Sequence, residues 1–313
     1  MPTYPKISIV TVNLNNGAFL EEAIQSVIGQ DYPNLEYIMI DGGSTDNSLE
    51  VIERYSSHFT YWESQKDEGQ YHAIQKGFEK STGDIMAWIN SDDKYLPKAF
   101  FAVADIFNRF QHVHWLMGCA KEYTEQGVLV GQIHLPWCRW SKHRYYTNDF
   151  QFIQQESSFW SRSLWEKAGA TLDTTIKLSG DMELWARFFR HEKLHTTTLE
   201  LSGFRHRKGA QRSKDFRDIY LTECKEVIQR EKRNMSTAQK LKLPFFIIAR
   251  WFLGPFFFYD VPILNKMYPW IFNIPRLIQY DFMNHEYTTK KKLIQLPSFF
   301  IGGKQVHRKM FKQ

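Results

Sequence analysis

The chain is poor in cysteine, and what it has forms no pattern. Its 313 residues include three, Cys119, Cys138 and Cys224. They make no CxxC pair and are too few and too scattered for a disulfide framework, so they read as reduced thiols of a cytosolic protein. The start, MPTYPKISIV, lacks a basic segment followed by an apolar one, so no secretory signal is expected. GxGxxG is missing, which excludes the Rossmann dinucleotide fingerprint. No GxxxxGK followed by Ser or Thr occurs, which excludes a P-loop. Internal repeats and low-complexity tracts are absent. The most apolar stretch, Leu243 to Tyr259, is broken by Arg250 and Pro255 and ended by Asp260. It therefore falls short of the roughly 20 residues that a transmembrane helix needs.

What is present is a chain with 43% hydrophobic and 16% aromatic residues, enough for one large or two modest folded domains. Charge is divided unevenly. Residues 201–313 hold 22 Lys/Arg against 8 Asp/Glu, a net +14, whereas the first 200 hold 18 against 26, a net −8. An acidic front and a basic back imply separate tasks, the back being suited to an anionic surface.

KISIVTV (6–12), LEYIMI (35–40), TYWES (60–64) and DIMAWIN (84–90) read as strands. Between the first two, Leu20, Ala23, Ile24, Val27 and Ile28 recur with helical spacing. DGGSTDNSLEVIERY gives a glycine turn and a second helix capped by Thr45 or Asp46. GQYHAIQKGFEKSTG gives a third helix, stopped at Gly83. Farther on, helices are expected near KAFFAVADIFNRF and GDMELWARFFRHE, the latter capped by Ser179, and strands near HWLMGCAKEY and GVLVGQI. FIQQESSFWSRSLWEKAGA mixes a strand and a helix. The alternation implies an α/β fold, a mostly parallel sheet flanked by helices, with ligands outside the carboxyl ends of its strands. Thr11 with Asn13, Asp41, and Asp92 with Asp93 all fall at such ends and should share one rim.

The run Ile85–Ile89 leads straight into Asn90-Ser91-Asp92-Asp93. Adjacent carboxylates closing a buried strand repel each other and call for something positive. A divalent cation, Mg²⁺ or Mn²⁺, suits them because it takes few protein ligands and shares the rest with water and phosphates. The alternative is a solvated acidic loop. Asp41-Gly42-Gly43-Ser44 could let the backbone approach a ligand while Asp41 accepts from a base or sugar, or it could be a plain tight turn.

In order, ISIVTVNLNNGAFLEEAIQSV, YIMIDGGSTDNSLEVI, DEGQYHAIQKGF and GDIMAWINSDD resemble successive blocks of the family 2 glycosyltransferases with the GT-A fold. The resemblance covers about residues 6–210 and implies a nucleotide-diphospho-sugar donor, most commonly of UDP, a divalent cation (Mn²⁺ or Mg²⁺) and inversion at the anomeric carbon. By the same resemblance Thr11, Asn13, Asp41, Asp67 and Gly69 border the nucleotide. Asp92 and Asp93 match the metal motif, with Asp93 as the direct ligand. Asp181 in LSGDMELW matches the general base, although an Asp in a first helical turn is also ordinary. His206, Arg207 and Arg212 in GFRHRKGAQRS match a segment near the diphosphate; a solvated basic loop is the other reading. His72 and Gln75 depart from the acidic residue and Asn that relatives carry there. No Gln stands three positions before Arg139-Trp140, so the processive signature is missing and transfer of a single sugar is expected. Other readings are a non-catalytic sugar-nucleotide-binding protein on the same fold, and a sugar nucleotidyltransferase, for which NLNNGAFLEE lacks the Gly-rich, Arg-containing loop.

These readings divide the chain into a transferase domain, residues 1–218, and a basic, aromatic, mainly helical extension, 219–313. The extension, with Trp251, Trp270, many Phe, and Lys290-Lys291-Lys292 in its tail, fits attachment to an anionic membrane surface from the cytoplasmic side better than it fits nucleic acid; a purely structural subdomain or oligomer contact is the other reading. A saccharide or lipid-linked acceptor of surface-polysaccharide synthesis would follow from that context.

Overall fold

The computed structural model describes residues 4–132, 140–148, 153–207, 216–257 and 262–290. Arg212, Cys138, Arg139 and the basic tail from Lys291 onward lie outside them. The elements, in chain order, are β1 (Ile7–Asn13), α1 (Gly17–Ile28), β2 (Leu35–Asp41), α2 (Ser48–Arg54), β3 (Tyr61–Ser64), α3 (Gln70–Lys80), β4 (Ile85–Asn90), β5 (Lys94–Tyr95), α4 (Ala99–Arg109), β6 (Trp115–Tyr123), β7 (Leu129–Gln132), α5 (Lys142–Tyr146), β8 (Ser158–Ser161), α6 (Arg162–Lys167), α7 (Gly180–His191), β9 (His195–Arg205), α8 (Arg217–Arg233), α9 (Thr237–Phe257), α10 (Pro262–Ile271), β10 (Leu277–Asp281) and β11 (Glu286–Lys290).

One sheet runs in the order β11-β10-β9-β6-β8-β4-β1-β2-β3, with β5 on β9 and β7 on β6. β1 pairs in parallel with both β2 and β4, and β2 with β3; β8 is antiparallel to β4 and β6. The register places Asn13 opposite Asp41 and Val12 opposite Asn90. The carboxyl ends of β1, β2 and β4 therefore finish level, and their polar residues meet at one edge. This is the mostly parallel, helix-flanked sheet that the alternation of strands and helices implies.

The strands with near-continuous apolar sequence are those buried on both faces. β1 is buried along its whole length and β4 through Ile89. At the centre, Trp88 (β4), Trp115 (β6), Trp160 (β8) and Trp185 (α7) bury their indoles against one another. Trp185 stacks on Trp88 at 5.8 Å and on Trp115 at 5.2 Å, and meets Trp160 edge-on at 5.6 Å.

Beyond residue 218 the chain stays joined to this body. α8 places Tyr220, Cys224, Val227 and Ile228 in the main core, and Ile278 of β10 pairs with Thr197 of β9. α9 and α10 build a smaller cluster of Ala249, Tyr268, Phe272 and Ile274. Among the described residues no helix is long and apolar enough to cross a membrane.

Two details differ from the sequence reading. The α2 N-cap is Asn47, and it makes no side-chain cap; Asp46 instead accepts from the amides of Ser48 (3.0 Å) and Gly17 (2.9 Å), tying the starts of α1 and α2 together. Ser179 is the N-cap of α7 but makes no side-chain cap either.

Glu36 of β2 pins the opposite edge of the sheet. It accepts from Ser8 Oγ, from the Thr82 amide (2.6 Å) and hydroxyl (2.7 Å), and pairs with Lys6 Nζ at 2.8 Å. Burial pushes its pKa up, but the hydrogen bonds from Lys6, Ser8 and Thr82 outweigh that and hold it at about 2, against an ordinary 4.5. A carboxylate depressed on folding contributes stability above its unfolded pKa and loses it as pH falls. The Glu36 contribution is thus complete above about 4.5 and gone near 2. Urea midpoints measured from pH 7 to pH 2 should fall less steeply in Glu36→Gln than in the wild type.

Candidate active site

The level ends of β1, β2 and β4 carry a connected polar layer. Asn13 donates from Nδ2 to Asp41 Oδ1 at 2.7 Å and to Ser44 Oγ at 3.2 Å. Asp41, fully buried, also accepts from Ser44 Oγ (2.6 Å), Ser64 Oγ (2.7 Å) and the amides of Gly43 (3.1 Å) and Ser44 (2.9 Å). Burial alone would raise its pKa; the donors from Ser44, Ser64 and Asn13 prevail and lower it. Both oxygens are engaged in closing the turn, in which Gly43 adopts φ +81°. Asn13 Oδ1, by contrast, is buried without a donor, an acceptor held open at the end of β1. Thr11 lies deeper; it is fully buried, 3.1 Å from the Tyr37 hydroxyl, and so sits apart from the rim residues.

The loop before α3 comes to the same edge. Asp67 Oδ1 accepts from the Gly69 amide at 2.8 Å, and a Cβ on Gly42 would stand 2.6 Å from Asp67 Oδ2. Glycine at 42 thus permits the β2 turn and the Asp67 loop to touch, and Gly69, at φ +130°, has a backbone shape that side chains disfavour. From α3, Gln70 Nε2 reaches Asn90 Oδ1 at 2.7 Å. His72 Nδ1 accepts from the Glu68 amide (3.1 Å), and Gln75 Oε1 accepts from the Leu172 amide (2.9 Å), so both unusual residues bind backbone.

The acidic pair meets positive partners from the end of β9. Arg207 Nη1 lies 3.0 Å from Asp92 Oδ2 and 2.8 Å from Asn16 Oδ1, and Asn16 Nδ2 reaches Ser91 Oγ at 3.1 Å. Asp93 is buried; Oδ1 accepts from the Arg205 amide at 3.0 Å and Oδ2 faces Asn90 Nδ2 at 3.4 Å. The Arg205 guanidinium braces the loop through the Asp92 carbonyl (2.9 Å) and Glu22. His206 leans the other way, its Nε2 lying 3.4 Å from Glu122 Oε1.

Two more carboxylates complete the arrangement. Asp181, second residue of α7, is half-buried; its Oδ1 accepts from the Met182 amide at 2.8 Å and lies 3.5 Å from the Tyr71 hydroxyl. Burial outweighs these donors, and with the nearby charge of Glu223 it lifts the pKa to about 6. Glu156, in the helical turn 155–157 wedged against β4, was not singled out from the sequence. It is buried, and its Oε1 has no partner. Burial, together with the charges of Asp181, Glu122 and Asp92, raises its pKa to about 7. Burial and the charges of Asp92 and Glu156 likewise push Asp93 well above the carboxylate range. Glu156 therefore stands in the field of both the acidic pair and Asp181. Its only sequence signal is a lone acid inside the strand-like run QQESSFW.

Among the described residues no group of three or more His, Cys, Asp or Glu is arranged to hold a metal. A cation here would have Asp92 and Asp93 and draw its other ligands from water and phosphate, the habit of Mg²⁺ and Mn²⁺. Burial, with the charges of Asp92 and Glu156, raises Asp93, and Glu156 Oε1 is buried without a partner beside them, a setting that positive charge would relieve, so the residues fit such an ion.

The family model of glycosyl transferase family 2 matches residues 8–163, about half the chain, and the chain belongs to that family. Similar proteins include the uncharacterized glycosyltransferase RT0329 of Rickettsia typhi, 24% identical over 189 residues, 59% of each chain. The putative teichuronic acid biosynthesis glycosyltransferase TuaG of Bacillus subtilis is 30% identical over 96 residues, 29% of this chain and 37% of its own. The match thus spans less than two thirds of these relatives. Among solved structures, S. aureus TarS 1-349 in complex with UDP-GlcNAc aligns with TM-score 0.61 at 16% identity, covering 85% of this chain and 79% of that one. The mannosyltransferase PcManGT from Pyrobaculum calidifontis, in complex with GDP-Man and Mn²⁺, aligns with TM-score 0.52 at 15% identity over the same shares. At these identities the likeness shows the fold, which is GT-A.

Because Asp41 closes the turn with both oxygens, Asp41→Asn should cost about 2 kcal/mol of stability. The check is a lower urea midpoint with an unchanged denaturant slope.

Proposed function

We propose that the chain is a metal-dependent, inverting glycosyltransferase that moves one sugar from a nucleotide-diphospho-sugar, with UDP the favoured nucleotide, to an acceptor hydroxyl. The observation that carries this reading is Asp181, a half-buried carboxylate lifted to about 6 on the same edge as the acidic pair. A base poised near working pH suits abstraction of a hydroxyl proton.

In this reading Asn13, Asp67 and Gly69 border the nucleotide, the open Asn13 Oδ1 receiving an N–H of the base. Asp93, supported by Asp92, holds a divalent cation, which when bound would offset charge on the leaving nucleoside diphosphate. Arg207 already lies beside Asp92 and can turn toward a phosphate. Asp181 takes the acceptor hydroxyl proton. The acceptor oxygen bonds to the anomeric carbon on the face opposite the diphosphate, and the bond from that carbon to the diphosphate breaks with its electron pair leaving on the diphosphate oxygen.

The acceptor is proposed to be a saccharide or lipid-linked glycan at a membrane surface. Along α9, Leu241, Phe245, Ile248 and Phe252 form an exposed apolar stripe, with Trp251, 73% exposed, packed on Phe252; on α10, Trp270 is 81% exposed. No Asp or Glu occurs between Glu231 and Asp260, while Lys240, Lys242 and Arg250 do. An apolar ridge flanked by cations is the composition of a segment lying in the headgroup layer.

Donor hydrolysis across UDP-, GDP- and dTDP-sugars, with Mn²⁺, with Mg²⁺ and with EDTA, tests the reading. Release from one donor, abolished by EDTA and by Asp93→Ala, is expected. Asp181→Asn should lower acceptor-dependent turnover by about 10²–10⁴-fold and spare calorimetric donor binding; near-normal turnover in that variant would refute the base assignment. Because the base must be unprotonated, wild-type turnover should decline as pH falls through about 6.

A further inference from the structure

Glu223 belongs to α8, beyond the strands that carry the site, yet its carboxylate is fixed on the approach to Asp181. It accepts three consecutive backbone amides, those of Lys177 (3.1 Å), Leu178 (2.9 Å) and Ser179 (2.9 Å). The amides ahead of and inside a first helical turn have no partner within the helix, and Ser179 supplies none from its side chain. A residue from a different helix takes over that task. On the other side, the Tyr71 hydroxyl donates to the Leu178 carbonyl at 3.0 Å, and its ring fills the space where a Cβ on Gly180 would stand, 2.8 Å away. Farther along, Arg230 of α8 reaches Glu183 at 3.1 Å, and Arg190 of α7 reaches Glu231 at 2.9 Å. The helix start bearing Asp181 is therefore gripped between α3 and α8.

We propose that Glu223 is a positioning residue for the reaction: by holding the amides of residues 177–179 it fixes the place and the electrostatic field of the Asp181 carboxylate. The proposal rests on the reading of Asp181 as the base. Around Asp181 stand Tyr71 from α3, Tyr145 from α5, Glu156 from the turn before β8, and Tyr220, Glu223 and Cys224 from α8. Burial raises Tyr145 and Tyr220 well above the phenol range and Cys224 to about 12, so these stay neutral at working pH. Glu156 titrates in the same range and interacts with Asp181, so the acid limb belongs to the pair, and the displacement of that limb between wild type and variant is what reads Glu223. The Glu223 charge disfavours ionisation of Asp181; removing it shifts the Asp181 titration to lower pH.

The test compares wild type with Glu223→Gln, which keeps the shape and loses the charge, and with Glu223→Asp, which keeps the charge on a shorter arm. The expected result for Glu223→Gln is kcat down about tenfold or more with donor KM within about twofold, the acid limb of the pH–kcat profile at lower pH, and faster amide exchange at residues 177–179. Glu223→Asp should restore the limb toward its wild-type position. If exchange at 177–179 quickens while kcat and the limb stay put, the proposal is overturned. It is equally overturned if kcat falls only with the folded fraction, measured by thermal melts, and the limb does not move. Should Asp181→Asn retain turnover, the base reading itself fails, which separates that failure from failure of the Glu223 role.

Discussion

Like charge crowded at the carboxyl ends of parallel strands is the constraint to which the rest of this molecule answers. Asp92, Asp93, Glu156 and Asp181 share one edge, and burial denies Asp93 and Glu156 the water that would make ionisation easy. The fold meets the cost locally. The end of β9 brings Arg207 to Asp92 and an amide to Asp93, and α7 offers its first amides to Asp181. What remains uncompensated shows as raised pKa values at Asp93, Glu156 and Asp181.

The first ninety residues were the most legible part of the chain. There, short apolar β-branched runs and period-3.6 patterns alternate between clear turns, and the expected strands and helices form with parallel registry. β9 was less readable because HTTTLELSGFR mixes β-branched, acidic and small residues. It lies between β6 and β10, and partners distant in sequence determine that it is a strand. β5, two residues long, owes its existence to pairing with β9 and has no sequence pattern of its own.

The candidate site was legible to the extent that strand ends mark it. Asn13, Asp41, Asp92 and Asp93 could be placed on one edge because parallel register aligns them. What each side chain does there was not legible. Whether Asp41 faces a ligand or closes a turn depends on Ser44 and Ser64, and the latter is 23 residues away. Glu156 and Glu223 escaped notice for the same reason: a carboxylate acquires its meaning from neighbours that come from other elements. Asp46, expected to cap one helix, braces two, since the start of α1 folds back onto it.

The indole cluster at the centre of the sheet joins the two ends of the chemistry. Trp88 stands two residues before Asn90 on the strand that leads to the acidic pair, and Trp185 lies one helical turn after Asp181, on the same face of α7. These rings stack with their centroids 5.8 Å apart, and Trp115 extends the stack. Excitation passes between indoles this close, so the emission of any one of these rings depends on its neighbours. Tryptophan emission is thus tied to the packing of α7 against β4, because a small shift between them changes the overlap of Trp185 with Trp88.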